Sequence, residues 1–166
     1  MEISIKSFIL FGAVVLTGLS AGFFYAWQVS VIQGTLLVKD SVYLETMQSI
    51  NRAILNPWFF AVFFGSLIFL TIGSIYQFNT NKWVFVMLLA ASIIYLIGTF
   101  GITAAGNVPL NDQLEALNLS ELTSEKMAEF RTYYETKWNR LHLQRTVFSV
   151  LSFALAVLAL FIEFKK

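Results

Sequence analysis

The stretch WFFAVFFGSLIFLTIGSIYQFNTNKWVFVMLLAASIIYLIGTF, residues 58–100, decides the fold. Lys82 is its single charged residue, and apolar side chains continue on both sides of it without the strict alternation of a lipid-facing barrel strand. In hydrocarbon, each backbone N–H and C=O needs a partner within the protein, and runs of this kind satisfy that need only as helices. Asn79-Thr80-Asn81 marks the break between the two runs and is too short for anything but a tight reversal. The passage therefore predicts two antiparallel, neighbouring helices. Trp58, Tyr76 and Trp83 fall near their ends, where amphipathic rings prefer the headgroup level.

The same reading extends outward. Charged residues are missing from 7–38, 53–81, 83–111 and 146–162. A spanning helix needs roughly 20 mostly apolar residues, which places spans near 7–33, 57–78, 83–105 and 143–164. The predicted fold is all-α, a transmembrane four-helix bundle forming one domain over 1–166. Its polar connections, 34–56 and 106–142, lie on one side, opposite both termini. Lys6 and the apolar run after it have the look of a secretory signal, but that run continues past Ala21 and is read as a retained first helix. Gly12, Gly18 and Gly22 there would let a neighbouring backbone come close, or simply reflect the frequency of glycine in membrane helices. Asn56-Pro57 marks the start of the second span or a kink in it. Gly106-Asn107-Val108-Pro109 is expected to end the third with a bend, because proline lacks a donor and disfavours helix before it. Thr123 reads as an N-cap with Glu125 in the first turn, and no Pro or Gly follows up to Phe164. The fourth helix should then begin near Ser124 and project several turns beyond the membrane.

Composition supports this and narrows function. Hydrophobic residues make up 57% of the chain and charged ones 13%, about half the charge of a typical soluble domain. The net charge of +1 offers no basic face for nucleic acid. The absence of cysteine removes disulfides, thiolate metal sites and the dithiol-to-quinone chemistry of four-helix membrane thiol oxidoreductases. Lys6, Lys82, Lys165 and Lys166 sit tightly against spans. They place both termini in the cytoplasm of a bacterial inner membrane, although the opposite side carries more cations by raw count.

Polar residues gather on the loop-rich side. On a helix, residues three, four or seven apart share a face. Trp138, His142 and Arg145 therefore line up, with Asn139 and Thr146 beside them and Glu135 extending the stripe. In the earlier connection Glu45, Gln48 and Arg52 share a face, with Asn51 adjacent. Arg145 at the membrane boundary would serve equally as a snorkelling anchor. The company of His, Asn and Trp on one stripe favours a site instead. His142 is the single histidine. It is a candidate proton acceptor, given an ordinary pKa of about 6.5, and bis-histidine haem is excluded by count. Binding a metal would require Glu45 or Glu135 to join it, so neither metal nor cofactor is expected. Asn107 and Asn111, around Pro109, would present carboxamides at the bundle's mouth.

NVPLN at 107–111, WNRLHLQRT at 138–146 and LETMQSINRAILNPWFF at 44–60, with AGFFYAW at 21–27 fitting more loosely, resemble the anthrone-oxygenase-like family of small membrane proteins. Fungal members of that family are associated with oxidising anthrones to anthraquinones, without a recognised organic cofactor. The resemblance implies a site lined by Asn107, Asn111, Trp138, Asn139, His142 and Arg145, with Gln48 and Asn51 opposite. It also implies a hydrophobic aromatic small molecule as partner within the lipid bilayer. In that scheme His142 removes the acidic C–H proton, and Asn107, Asn139 or Arg145 stabilises the oxyanion. Two rivals stay open: a non-catalytic quinone- or haem-binding protein, and an accessory or assembly subunit with an interior packed solid by phenylalanine. Assembly into a homo-oligomer also stays open.

Overall fold

A computed structural model describes residues 5–165. Among them there is no strand, and the fold is an all-α helical bundle. The helices are α1 (Ile5–Thr35), α2 (Asp40–Ala53), α3 (Pro57–Gln77), α4 (Lys82–Glu115) and α5 (Ser124–Phe164). All but α2 are long and apolar enough to cross a membrane, which fits an integral membrane protein. Each long helix packs along two others, in the ring order α1, α3, α4, α5. α2 lies on the ends of α4 and α5, so both long connections sit at one end of the bundle.

The local signals that start the helices act as the sequence predicts. Asn56 caps α3, its side chain accepting from the N–H groups of Trp58 and Phe59, with Pro57 in the first turn. Asn81 caps α4 in the same way through Trp83 and Val84. Thr123 accepts from the N–H of Lys126 and starts α5 at Ser124. α5 is 41 residues long, which at 1.5 Å per residue is about 60 Å, twice the hydrocarbon thickness of about 30 Å.

The third long helix departs from expectation. It does not end at Gly106–Pro109 but continues to Glu115. The turns before the proline, Thr103–Asn107, are π-helical, and the N–H of Val108 reaches back to the carbonyl of Thr103. The wider π turn eases the clash between a proline ring and the carbonyl four residues earlier, so Pro109 is absorbed at the start of the next α-helical segment.

Two cores hold the molecule. In the cap around α2, water drives burial. Leu44 and Leu114 are fully buried there beside Tyr43, Met47 and Tyr134, and each leucine contributes about 1.5–3 kcal/mol. Between the spans that force is missing, because lipid is as apolar as leucine, and close packing with a few hydrogen bonds replaces it. Tyr95 of α4 donates to the carbonyl of Phe63 on α3 at 3.1 Å and bonds Ser20 of α1 at 2.8 Å. Ser152 of α5 donates to the carbonyl of Ala91 at 2.9 Å. Gly12 and Gly18 admit aromatic rings, Phe69 and Phe153, rather than a backbone, while Gly22 faces open space. At Gly98 a Cβ would overlap Phe148 of α5.

Candidate functional site

α1 and α4 stand diagonally across the bundle, and at the α2 end both leave regular α geometry. Trp27–Val31 is π-helical, as are Tyr95–Gly101 and Thr103–Asn107. A π turn carries an extra residue, widens the helix and occurs often at functional sites. Between these segments lies a cavity of about 510 Å³, within the usual range for small-molecule sites. Its wall is aromatic, built from Phe23, Phe24, Trp27, Phe59, Phe63 and Phe100. Phe63 stacks on Phe59 at 5.2 Å and on Phe100 at 5.7 Å, which gives the chamber a flat side.

Polar groups enter from α4 and α5. Arg145 is buried, and its guanidinium lies over the rings of Phe24 (4.7 Å) and Trp138 (5.0 Å). Its Nε and Nη2 donate to Nδ1 of His142 at 3.2 and 2.9 Å, and Nη1 donates to Oγ1 of Thr103 at 3.3 Å. No carboxylate among the described residues forms an ion pair with it. A buried cation without a counter-ion is costly and calls for a negative partner.

His142 is held on every side. Its ring stacks on Trp138 at 5.0 Å and 6°, and Nε2 lies 3.1 Å from the carbonyl oxygen of Phe24. A guanidinium only donates and a carbonyl only accepts, so the tautomer follows: Nδ1 accepts from Arg145 and Nε2–H donates to Phe24. Neither nitrogen has a lone pair free. This geometry opposes the expected role of His142 as a proton acceptor, since a proton on Nδ1 would displace Arg145 and set two cations side by side. It equally opposes haem ligation.

Asn107 is buried and donates Nδ2 to the carbonyl of Trp138 at 3.3 Å, while its Oδ1 is a buried acceptor with no partner. Asn111 lines the cavity nearer the rim. Its Oδ1 accepts from Trp138 Nε1 (2.9 Å) and from the hydroxyl of Tyr134 (3.0 Å), which in turn accepts from Asn51 Nδ2 (3.2 Å). This chain ties α2, α4 and α5 together over the chamber.

The structure thus brings together Asn51, Asn107, Asn111, Trp138, His142 and Arg145 at the cavity wall. Gln48 and Asn139 are elsewhere. Gln48 donates to the carbonyls of Leu114 and Leu117, closing the last turn of α4 against α2. Asn139 is one position around α5 from Trp138 and does not reach the wall. Glu135 pairs with Arg131 at 2.9 Å, and Glu45 is exposed. Sequence reasoning missed Tyr134, Thr103 and the aromatic wall. Carrying the α5 stripe back by four and seven from Trp138 reaches Tyr134 and Arg131, so that signal was present. The phenylalanines gave none, because in an apolar run a cavity ring and a lipid-facing ring look the same.

Fold and chamber together describe a small helical membrane protein hollowed at one end around an unpaired cation. The chain belongs to the anthrone oxygenase family, whose sequence profile matches residues 58–155. The match takes in α3, α4 and α5 as far as Leu155, and with them Asn107, Trp138, His142 and Arg145. α1 and α2 lie outside it, so Phe24, Trp27 and Asn51 come to the site from unmatched sequence. No curated protein and no solved structure matches the chain.

Proposed function

We propose that the chamber binds a flat, apolar aromatic ketone of the anthrone type and oxidises it with dioxygen, without an organic cofactor. The observation that carries this reading is Arg145, a buried guanidinium over aromatic rings with no carboxylate beside it. A ligand whose carbonyl oxygen becomes negative during reaction supplies the missing counter-charge, and supplies it most fully in the transition state. The C–H proton next to the carbonyl system passes to water at the rim, and the enolate keeps its charge on the oxygen facing Arg145. The enolate carbon bonds to dioxygen, which the electron pair reduces to a peroxide that takes up a proton. The hydroperoxide then loses water as the O–O bond breaks, the second C–H proton leaves and a new carbonyl forms. One ligand and one dioxygen give one quinone and one water. His142 acts here by holding the guanidinium in place, and the free Oδ1 of Asn107 accepts a hydroxyl of the ligand.

The chamber also speaks against a purely structural subunit, whose interior would be filled. A non-catalytic quinone-binding protein would use the same donors, so turnover is the deciding measurement. Purified protein given an anthrone should consume equimolar oxygen as quinone absorbance grows, above the rate without protein. Tight quinone binding with no added oxygen uptake would sink the oxygenase reading and leave the binding one. In the same reading the chain lies in a bacterial inner membrane with its termini cytoplasmic. Protease added outside spheroplasts should then cut the connection around Leu119–Glu121.

A further inference from the structure

α3 and α4 leave their turn packed together but do not stay so. α4 runs along α3 over Lys82–Ile94. Over Tyr95–Gly101 the two backbones draw apart and side chains bridge them, Tyr95 to Phe63 and Phe100 to Phe63 and Phe64. Beyond Thr103 their backbones keep at most marginal contact. α5, by contrast, follows α4 closely through Thr103–Asn107 and keeps a marginal contact with it over Val108–Glu115. The two helices therefore bound a V-shaped cleft that widens towards the chamber. Its lips are apolar. Phe60 and Phe64 of α3 and Val108 of α4 line the chamber and are also 37%, 43% and 42% exposed, so the chamber reaches the outer surface there.

The depth of this opening follows from helix geometry. Trp58, 85% exposed, marks the headgroup level at the start of α3. At 1.5 Å per residue, Phe60 and Phe64 lie about 4–10 Å below Pro57, inside a hydrocarbon layer of about 30 Å. Above the lips the way to water is crossed by Arg52 of α2, whose Nε lies 2.8 Å from Oε1 of Glu115 on α4. Beside that bridge the Asn51–Tyr134–Asn111–Trp138 chain joins the covering helices.

We infer that the chamber is filled sideways, through the cleft between α3 and α4, by a planar aromatic molecule already dissolved in the bilayer. This rests on the chamber being a ligand site, as argued above, but not on the oxygen chemistry. Such molecules concentrate in hydrocarbon, and the opening offers them an uninterrupted apolar path ending at Arg145 and Asn107. An approach from water would instead pass the charged Arg52–Glu115 pair at the rim.

The test uses a probe that cannot leave the membrane. The full chain is reconstituted in phosphatidylcholine vesicles containing a phosphatidylcholine with benzophenone near the middle of one acyl chain. After illumination, the labelled residues are mapped by mass spectrometry. Label is expected on the inner residues Phe24, Trp27, Trp138, His142 and Arg145 as well as on outward ones such as Ile72 and Leu151. Free benzophenone should compete away only the inner label. Val108→Trp, which narrows the cleft, should abolish inner labelling by the tethered probe and leave the outer label unchanged. If the tethered probe marks outer residues alone while free benzophenone marks the chamber, sideways filling is refuted and the chamber stands. If neither probe reaches the inner residues, the chamber reading fails with it.

Discussion

Replacing Arg145 with methionine separates a catalytic cation from a structural clamp, because the two roles move stability and turnover in opposite ways. Methionine fills much of the same space beside Phe24 and Trp138. It removes the hydrogen bonds to His142 and Thr103 together with the charge. Exchanging buried ionic groups for apolar ones of similar volume is neutral or stabilising by about 1–4 kcal/mol. Against that, Nδ1 of His142 loses its donors, and a buried unsatisfied acceptor costs about 1–3 kcal/mol. The two effects nearly cancel, so the variant should unfold within about 2 kcal/mol of the parent. Turnover should respond very differently. Losing one preorganised donor to a developing oxyanion costs about 10²–10³ in kcat, and Arg145 supplies a full charge as well. Oxygen uptake with an anthrone, read beside denaturant unfolding in the same detergent, gives both numbers. Arg145→Lys should recover part of the rate, since it keeps the charge but not the fork. A methionine variant that turns over normally, or one that loses clearly more stability than this balance allows, would refute the reasoning.

Further expectations concern neighbouring parts of the molecule. His142→Gln, which keeps an acceptor for Arg145, should retain far more activity than His142→Ala, whereas a base role would make both equally inactive. Gly98→Ala should destabilise by about 1–3 kcal/mol, read as a lower unfolding midpoint, because the new methyl overlaps Cβ and Cγ of Phe148. Arg131→Met should cost about 3–5 kcal/mol. It strips partners from the carbonyls of Thr35 and Val38 and leaves Glu135 unpaired, and adding Glu135→Met should return much of the loss. Burial raises the Tyr43 phenol above its ordinary range, with the charge of Glu135 adding to the shift. The folded state thus keeps a proton that the unfolded chain releases near pH 10. Stability should be full below that pH and fall as pH rises through it, and Tyr43→Phe should flatten the decline in an alkaline unfolding series.

The frame of the molecule was readable because its causes are local. Charge-free runs, the Asn79-Thr80-Asn81 reversal, the Asn56-Pro57 break and the Thr123 cap each act within a few residues, and each falls where the structure has a helix or a helix boundary. The α5 stripe was equally readable, since a helix face needs only a period. What escaped were features set by partners. Spacing put Gln48 on a face with Glu45 and Arg52, and the resemblance set it at the site with Asn51, yet its amide is drawn to carbonyls of α4 that no local pattern announces. Pro109 was read as a stop because an α turn cannot take it, and the π turn before it removes that objection. The proton-acceptor expectation for His142 came from its identity. The opposing geometry comes from a carbonyl on α1 and a guanidinium one turn away.

The position of the chamber has its own logic. A guanidinium acts strongly on an oxyanion only where water is scarce, but in the proposed reaction the proton that leaves the ligand must reach water. Within the bundle core the first condition holds and the second fails; on the cap the reverse is true. Arg145 precedes the charge-free run 146–162 of α5, and Glu163 lies about 27 Å further along that helix. That distance sets Arg145 close to one edge of a hydrocarbon layer of about 30 Å. The aromatic wall then keeps the low-dielectric side dry, while the polar rim at Asn51 and Glu115 meets solvent. The projecting half of α5 is what allows both, because one uninterrupted helix carries Tyr134 in the wet cap and Arg145 at the dry floor. Moving the cation one turn deeper, as in Arg145→Ser with Ser149→Arg, should bury it beyond the rim and leave the protein unable to release the ligand's proton. Recovery of full turnover in that double variant would show that the boundary position is incidental.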